Sequence, residues 1–300
     1  MNETKKLYKA FGLVVESCFP IAQIPEVESG EPDVRIVRAD LSGLPKALRR
    51  ITTPGANYIR TWGQGVMRVT GGNLIEVDPS EDASESFIGV YLMGSCMGAI
   101  LCQRGFMLLH GSCVTDGTRS ILITGDSGAG KSTMAAEFLK RDWKLLTDDV
   151  ATVFDADGIP MVQSSYPSQK LWQDALDRYE KPEHSVHTLY SMEAREKFGI
   201  NVASSFYDGA APLSMVVRLL PDDRLCSLTP MEGMTKVDQL LRNTYRIKLI
   251  EQKDLQRHFQ RCVTLSTKIP MALAIRENGK QCAETLYKLI TDYLGGMNHD

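Results

Sequence analysis

The octapeptide Gly125-Asp126-Ser127-Gly128-Ala129-Gly130-Lys131-Ser132 fits G-x-x-x-x-G-K-[ST], the phosphate-binding loop, and it constrains this chain more than any other feature. Its flanks weigh as much as the match. Ile121-Leu122-Ile123-Thr124 is an apolar, β-branched run that reads as a buried strand, and residues 133–141 have helical spacing and helix formers. Glycines at 125, 128 and 130 allow backbone conformations closed to other residues, so successive N–H groups can converge on phosphate oxygens at a helix N-terminus. Lys131 adds a mobile positive charge for the β- and γ-phosphates, the Ser132 hydroxyl is a Mg²⁺ ligand, and Thr133 completes the contacting run. ATP and Mg²⁺ are the expected cofactors.

Thirteen residues past Ser132 begins Leu145-Leu146-Thr147-Asp148-Asp149-Val150, an apolar strand carrying two acids. It is expected to return beside the strand before the loop, with both carboxylates at its C-terminal end near the phosphates. Adjacent carboxylates on an extended chain point opposite ways. Asp148 is then assigned as the base that orients and deprotonates an attacking hydroxyl, and Asp149 as the acid near Mg²⁺ and Ser132. Upstream, His110 closes the short apolar run of Leu108-Leu109-His110-Gly111-Ser112, just before the hairpin-like Thr115-Asp116-Gly117-Thr118. A histidine there either orients an aspartate and tunes its proton affinity or is a satisfied structural residue.

These segments carry a resemblance. LLHGSCV, GDSGAGKST and LLTDDV, in this order and spacing, resemble the catalytic domain of the HPr serine kinase/phosphorylase family. LYKAFGLVVESCFP near the start, QRGFMLLHGS before the loop, YPSQKLW after the acids and LLRNTYR further on are similar to one branch of it. That branch is encoded with lasso peptides and phosphorylates the precursor peptide on its C-terminal serine. The resemblance covers roughly residues 7 to 295. It implies active-site roles for His110, Lys131, Ser132, Asp148 and Asp149, with a precursor peptide as partner. It also implies an α/β fold: a P-loop kinase core of the HPr kinase type, its mixed central sheet flanked by helices, behind a small N-terminal β-rich domain. The family's hexamers are built partly through segments that differ here, so homo-oligomerisation is left open. Bifunctional members carry Glu-x-Arg-Gly-x-Gly-Ile after the acids. Met192-Glu193-Ala194-Arg195-Glu196-Lys197-Phe198-Gly199-Ile200-Asn201 matches that only in part, so phosphorylase activity and HPr recognition are not implied. Arg195 and Lys197 are candidates to reach nucleotide or transferred phosphate, against a solvated, charged helix end.

Three hundred residues, 43% hydrophobic, suit one large domain or two modest ones. A formal charge of −3, with 34 Lys and Arg spread without long runs, gives no basic face for nucleic acid. Seven cysteines, at 18, 96, 102, 113, 226, 262 and 282, form no C-x-x-C pair, so neither a zinc site nor a disulfide framework is expected. Met1-Asn2-Glu3-Thr4-Lys5-Lys6 is polar and precedes no apolar run of signal length, and no stretch approaches eighteen uninterrupted apolar residues. The expectation is a cytoplasmic, reducing location away from membranes.

Short strands are expected over 11–16, 34–37, 56–61, 66–70 and 73–77, the last two joined at Gly71-Gly72 as a tight hairpin would be. They define a β-rich domain of residues 1–92, either scaffold or peptide platform, ahead of a catalytic domain of residues 93–300. Apolar positions from Phe87 to Leu101 recur at three and four residues, as in an amphipathic helix over 81–104. Tyr166-Pro167 reads as a turn before a helix that puts Lys170 and Trp172 beside an acceptor, or else as a capped surface helix. Residues 180–186, polar and Pro-interrupted, suit a mobile loop that orders over substrate. Residues 213–230 read as a hairpin around Pro221-Asp222-Asp223. Over 237–249, helical spacing sets Arg242 and Arg246 four apart on one face, where they either clamp phosphate or a peptide carboxylate or are simply solvated. Residues 282–294 form an amphipathic helix expected to pack on the sheet.

The function expected is ATP-dependent transfer to a peptide serine. The alternatives are an HPr-type protein kinase/phosphorylase, a small-metabolite or phosphoenolpyruvate-carboxykinase-like enzyme, and a nucleotide-binding regulator without transfer chemistry. The intact Asp148-Asp149 pair argues against the last.

Overall fold

In the computed structural model, which describes residues 5–44, 50–61, 63–172, 186–192, 195–280 and 282–296, the alternating apolar positions near the N-terminus become strands. β1 (Lys6–Ala10), β2 (Leu13–Ser17), β3 (Val34–Arg38), β4 (Arg50–Thr53), β5 (Ala56–Thr61), β6 (Gly65–Thr70) and β7 (Leu74–Pro79) form one sheet in the order β1-β2-β3-β7-β6-β5-β4. All five expected strands are present; β1 and β4 are additions. Gly71 and Gly72 both take positive φ in the turn that lets β6 pair antiparallel with β7, a conformation open to glycine at no steric cost.

Helix α1 (Glu85–Gln103) follows where its spacing predicts it, with a π-helical stretch at Leu92–Cys96. By length and mean hydropathy, 1.5, it could cross a bilayer, yet 67% of that window is buried inside the protein. Packing accounts for its apolar character: the N-terminal sheet, α1 and Leu108, Val150, Tyr166, Tyr245 and Leu249 share one core. The expected boundary at residue 92 therefore falls within a continuous helix, and the β-rich part is fused to the rest through that core.

The second sheet is mixed. β8 (Met107–Thr115), β9 (Ser120–Thr124), β10 (Lys144–Ala156), β11 (Ile159–Gln163), β15 (Ala210–Asp222), β16 (Ser227–Met231) and β17 (Met271–Glu277) lie in the order β11-β10-β8-β9-β15-β17-β16. β9, β15 and β17 are mutually parallel, and β11 also pairs with β15, which curls five strands into a ring. β12 (Ser168–Trp172), β13 (Val186–Met192) and β14 (Arg195–Asn201) make a small separate sheet, ordered β12-β14-β13. Helices α2 (Lys131–Leu139) and α5 (Ala283–Gly296) cover one face of the mixed sheet. Helices α3 (Met234–Arg242) and α4 (Leu255–Lys268) cover the other. The expected arrangement, a mixed sheet flanked by helices, is present, and the C-terminal helix packs on it as its pattern predicts.

Phe138 pins α2. It is fully buried, with its ring 5.0 Å from that of Trp143 and 4.8 Å from that of Tyr287 on α5, both edge-on. Phe138→Ala is expected to cost about 3–5 kcal/mol of stability, since the cavity joins a lost transfer term, and denaturant unfolding measures it directly.

Several expectations are corrected. β10 does not lie beside β9: β8 intervenes, antiparallel to both, joined to β9 by the tight turn at Asp116–Gly117. β15 and β16 do not pair with each other, because β17 inserts between them and satisfies both edges. The chain after Tyr166-Pro167 is strand β12 rather than a helix, held by pairing with β14. Arg195 and Lys197 likewise sit on strand β14, not at a helix end. Of the loop expected over 180–186, only Val186 lies within the described residues, where it opens β13. Helix α3 ends at Arg242, since the Asn243 side chain donates to the Gln239 carbonyl at 2.7 Å and the chain reverses to a left-handed φ of 44° at Arg246. Arg242 and Arg246 therefore share no helix face. Finally, Cys226 and Cys282 are joined in a disulfide across 56 residues of sequence. The pairing of Ser227 with Ile275 brings the two cysteine-bearing segments together, a proximity that spacing along the chain does not reveal.

Candidate active site

At the end of β9 the chain turns through Gly125, Gly128 and Gly130, whose φ values of 142°, 81° and 101° are in the region that favours glycine. A Cβ at Gly125 would stand 2.6 Å from the Leu219 carbonyl oxygen, so the loop needs glycine there for space as well as for torsion. Gly130 caps α2 with no side-chain hydrogen bond to the helix N-terminus. The Ala129 N–H closes back on the Asp126 carbonyl at 3.1 Å, and the Asp126 carboxylate lies 3.4 Å from Arg218. Lys131 Nζ donates to the carbonyls of Gly125 at 2.9 Å and Asp126 at 3.1 Å. Ser127 and Thr133 are exposed on the loop and on the first turn of α2.

The two acids sit in the middle of β10, not at its end. Asp148 is level with Ser112 and Asp149 with Gly111, which in turn faces Thr124 at the mouth of the loop. Asp148 is buried and receives a hydrogen bond from the Ser112 hydroxyl, the Ser132 hydroxyl at 3.1 and 3.3 Å, and the Lys170 backbone N–H at 2.7 Å. Asp149 has φ 93°, a conformation costing a residue with a Cβ about 1–3 kcal/mol. That torsion breaks the alternation of the strand and brings both carboxylates to the same lysine. Asp149 lies 3.2 Å from His110 Nδ1 and 2.9 Å from Lys170 Nζ. The positions expected for the two acids are thus exchanged: Asp148, not Asp149, adjoins Ser132, and Asp149 adjoins His110.

His110 Nδ1 also faces the Asp149 carbonyl oxygen at 3.0 Å. Both oxygens accept, so this nitrogen carries the hydrogen and Nε2 is the other tautomeric position. Burial disfavours a charge on Lys170, but Asp149, Tyr166 and Tyr245 outweigh it, and the ammonium's pKa is held well above its ordinary value. Burial, then the Asp149 charge, pushes the Tyr245 phenol up to about 12.

Of the remaining candidates, Arg246 is half-buried, with Nε donating to the Tyr245 hydroxyl at 2.9 Å. Arg242 is exposed and paired with Asp238 at 2.7 Å. Arg195 and Lys197 lie on β14, level with Met192 and Trp172 respectively.

Three contributors escaped the sequence reading. Asn243 accepts from the Gly125 N–H at 3.2 Å through its side chain and from the His110 N–H at 2.7 Å through its carbonyl, so it ties the loop to the histidine strand. Gln169 donates from Nε2 to the Ser132 carbonyl at 2.8 Å, and Ser112 holds Asp148. The available signal was a buried polar residue in an apolar setting, which is visible only once burial is known. Helix α1 closes the far side: a Cβ at Gly98 would approach Tyr245 Cε1 to 3.0 Å, and one at Gly94 its hydroxyl to 3.4 Å.

The site suits a nucleotide and Mg²⁺. The glycine loop, Lys131 and an uncapped helix N-terminus match a phosphate chain, and the Ser132 hydroxyl with the Asp148 carboxylate is a hard oxygen pair of the kind Mg²⁺ selects.

No family model matches the chain. Among curated proteins, a 50-residue segment is 50% identical to an HPr kinase/phosphorylase of Clostridium beijerinckii, covering 17% of each chain. A 110-residue segment is 33% identical to an HPr kinase/phosphorylase of Latilactobacillus sakei, covering 37% of this chain and 31% of that one. The chain is similar to HPr kinase/phosphorylases. The matches span less than a third of the length of these relatives. Among solved structures, the Hpr(Ser) kinase/phosphatase from Coxiella burnetii aligns over 64% of this chain and 93% of its own, at TM-score 0.37 and 11% identity.

Proposed function

We propose that this chain is an ATP-dependent kinase that phosphorylates a serine hydroxyl, and that its acceptor is the C-terminal serine of a lasso precursor peptide. The observation that carries the reading is the division of two adjacent acids between two partners beside the phosphate loop: Asp148 with Ser132, Asp149 with His110. When bound, ATP supplies the phosphoryl group and Mg²⁺ offsets its charge. Ser132 and Asp148 would hold the metal, and Lys131 would swing from the loop carbonyls to the phosphates. Asp149, oriented by His110 and Lys170, would align the acceptor hydroxyl and take its proton, the work of a positioned base. A binding module without chemistry has no use for that second, strained carboxylate.

The acceptor assignment rests on the resemblance to the lasso-associated kinases and on Arg246. Of the three cations considered for a peptide carboxylate, Lys170 is engaged by Asp149 and Arg242 by Asp238. Arg246 donates to the Tyr245 hydroxyl, and the charge of Asp149, the acid assigned to the acceptor hydroxyl, acts on both side chains. A disordered peptide loses entropy on ordering, and a charge-assisted contact to its terminus would offset part of that cost. The second reading, transfer to a serine of an HPr-like protein, is favoured by the relatives named above. Labelled ATP, with a peptide ending in serine, its C-terminal amide and HPr as acceptors, separates the two. The expected result is transfer to the free-acid peptide, weakened at least about tenfold by amidation, since a charge-assisted contact is lost. Preference for HPr, or indifference among the three, overturns the assignment.

A further inference from the structure

We propose that Arg276 on β17 is a nucleotide-binding residue that grips the α-phosphate, on the side of the loop away from the acids. This rests on the nucleotide site proposed above.

Sheet order sets the direction in which a nucleotide must lie. The loop leaves β9. Two strands to one side, past β8, is β10 with Asp148 and Asp149; two strands to the other, past β15, is β17 with Arg276 near its C-terminal end. A γ-phosphate presented to Ser132 and the acids leaves the nucleoside end to extend toward β15 and β17. Arg276 reaches the loop from there. Its Cδ and Nε lie 3.5 and 3.8 Å from where a Gly130 Cβ would stand, beside the uncapped start of α2. A Cβ at position 130 would meet the arginine at ordinary van der Waals distance, so the side chain lies directly against the loop.

Chemistry supplies the second argument. Arg276 Nε is buried and has no hydrogen-bond partner among the described residues. An orphaned guanidinium N–H costs free energy in the folded chain, and such a group in a native site points to an acceptor that arrives with a ligand. The fixed fork of a guanidinium matches phosphate oxygens, and the electropositive helix start beside it favours the same anion. Arg218, the other arginine near the loop, already has the Asp126 carboxylate as a partner and leaves the opposite face of the sheet from Arg276.

The test is calorimetric titration of the whole protein with Mg-ADP, which needs no acceptor and no turnover. Arg276→Ala is expected to weaken ADP binding on the order of 10- to 100-fold, the usual worth of a charge-assisted contact, with Arg276→Lys intermediate because it keeps the charge and loses the fork. Thermal unfolding of ligand-free variants checks the fold: an unchanged midpoint in Arg276→Lys keeps a loss of affinity attributable to the contact. ADP affinity within about twofold of wild type in Arg276→Ala overturns the proposal. Wild-type protein that binds no ADP overturns the kinase reading itself, a different and separately recognisable failure.

Discussion

Lys131→Ala is expected to lower phosphoryl transfer by on the order of 10³ or more, leaving no practical turnover. Transfer through a loose, highly charged transition state depends almost wholly on positioning and charge stabilisation, and Lys131 is the mobile cation of the loop. Its present contacts, with two loop carbonyls, are ones it can exchange for phosphate oxygens without moving the helix it begins. The fold should therefore survive the substitution, and circular dichroism with thermal unfolding would show it. Near wild-type turnover in the alanine variant would remove the loop from the chemistry.

The two acids are expected to fail in different ways. Asp149→Asn should lower turnover by on the order of 10² to 10⁴ while Mg-ATP affinity stays within a few fold, because the base acts on the acceptor hydroxyl and not on the nucleotide. Asp148→Asn should raise the Mg²⁺ concentration needed for half-maximal activity, since this carboxylate shares its position with the Ser132 hydroxyl. This assignment reverses the one drawn from sequence. Turnover measured against Mg²⁺, alongside calorimetric ATP binding, distinguishes the variants. Equal loss of nucleotide binding in both would mean that the acids act as one unit.

Much of the reacting constellation was legible in the chain because its parts are local. A phosphate loop needs glycines, a lysine and a serine at fixed spacing between a strand and a helix, and short-range torsion and sterics specify that arrangement wherever it occurs. The N-terminal strands, the amphipathic α1 and the C-terminal helix were legible for the same reason: their periodicity is written in consecutive residues. What failed was long-range. Nothing local says that β8 separates β9 from β10, that β17 enters between β15 and β16, or that Cys226 meets Cys282. Strand order is settled by which edges are satisfied and which faces are buried, and both depend on segments distant in sequence. The segment after Tyr166-Pro167 is a strand and not a helix for the same reason, since pairing with β14 outweighs local preference.

The exchange of the acids has the same origin. From sequence, two adjacent carboxylates on a strand point apart, and either could face the metal. The structure adds the positive φ of Asp149, the register that sets it beside His110, and Lys170 arriving on β12 to touch both. A phosphate-loop motif, a pair of acids and a histidine are readable along the chain, because motif chemistry is encoded in neighbouring residues. Packing of the whole chain settles which acid faces Ser132, that Arg246 lies against Tyr245 while Arg242 pairs with Asp238, and that Asn243 and Gln169 brace the loop. Those outcomes depend on burial and strand register, which exist only once the whole chain has packed.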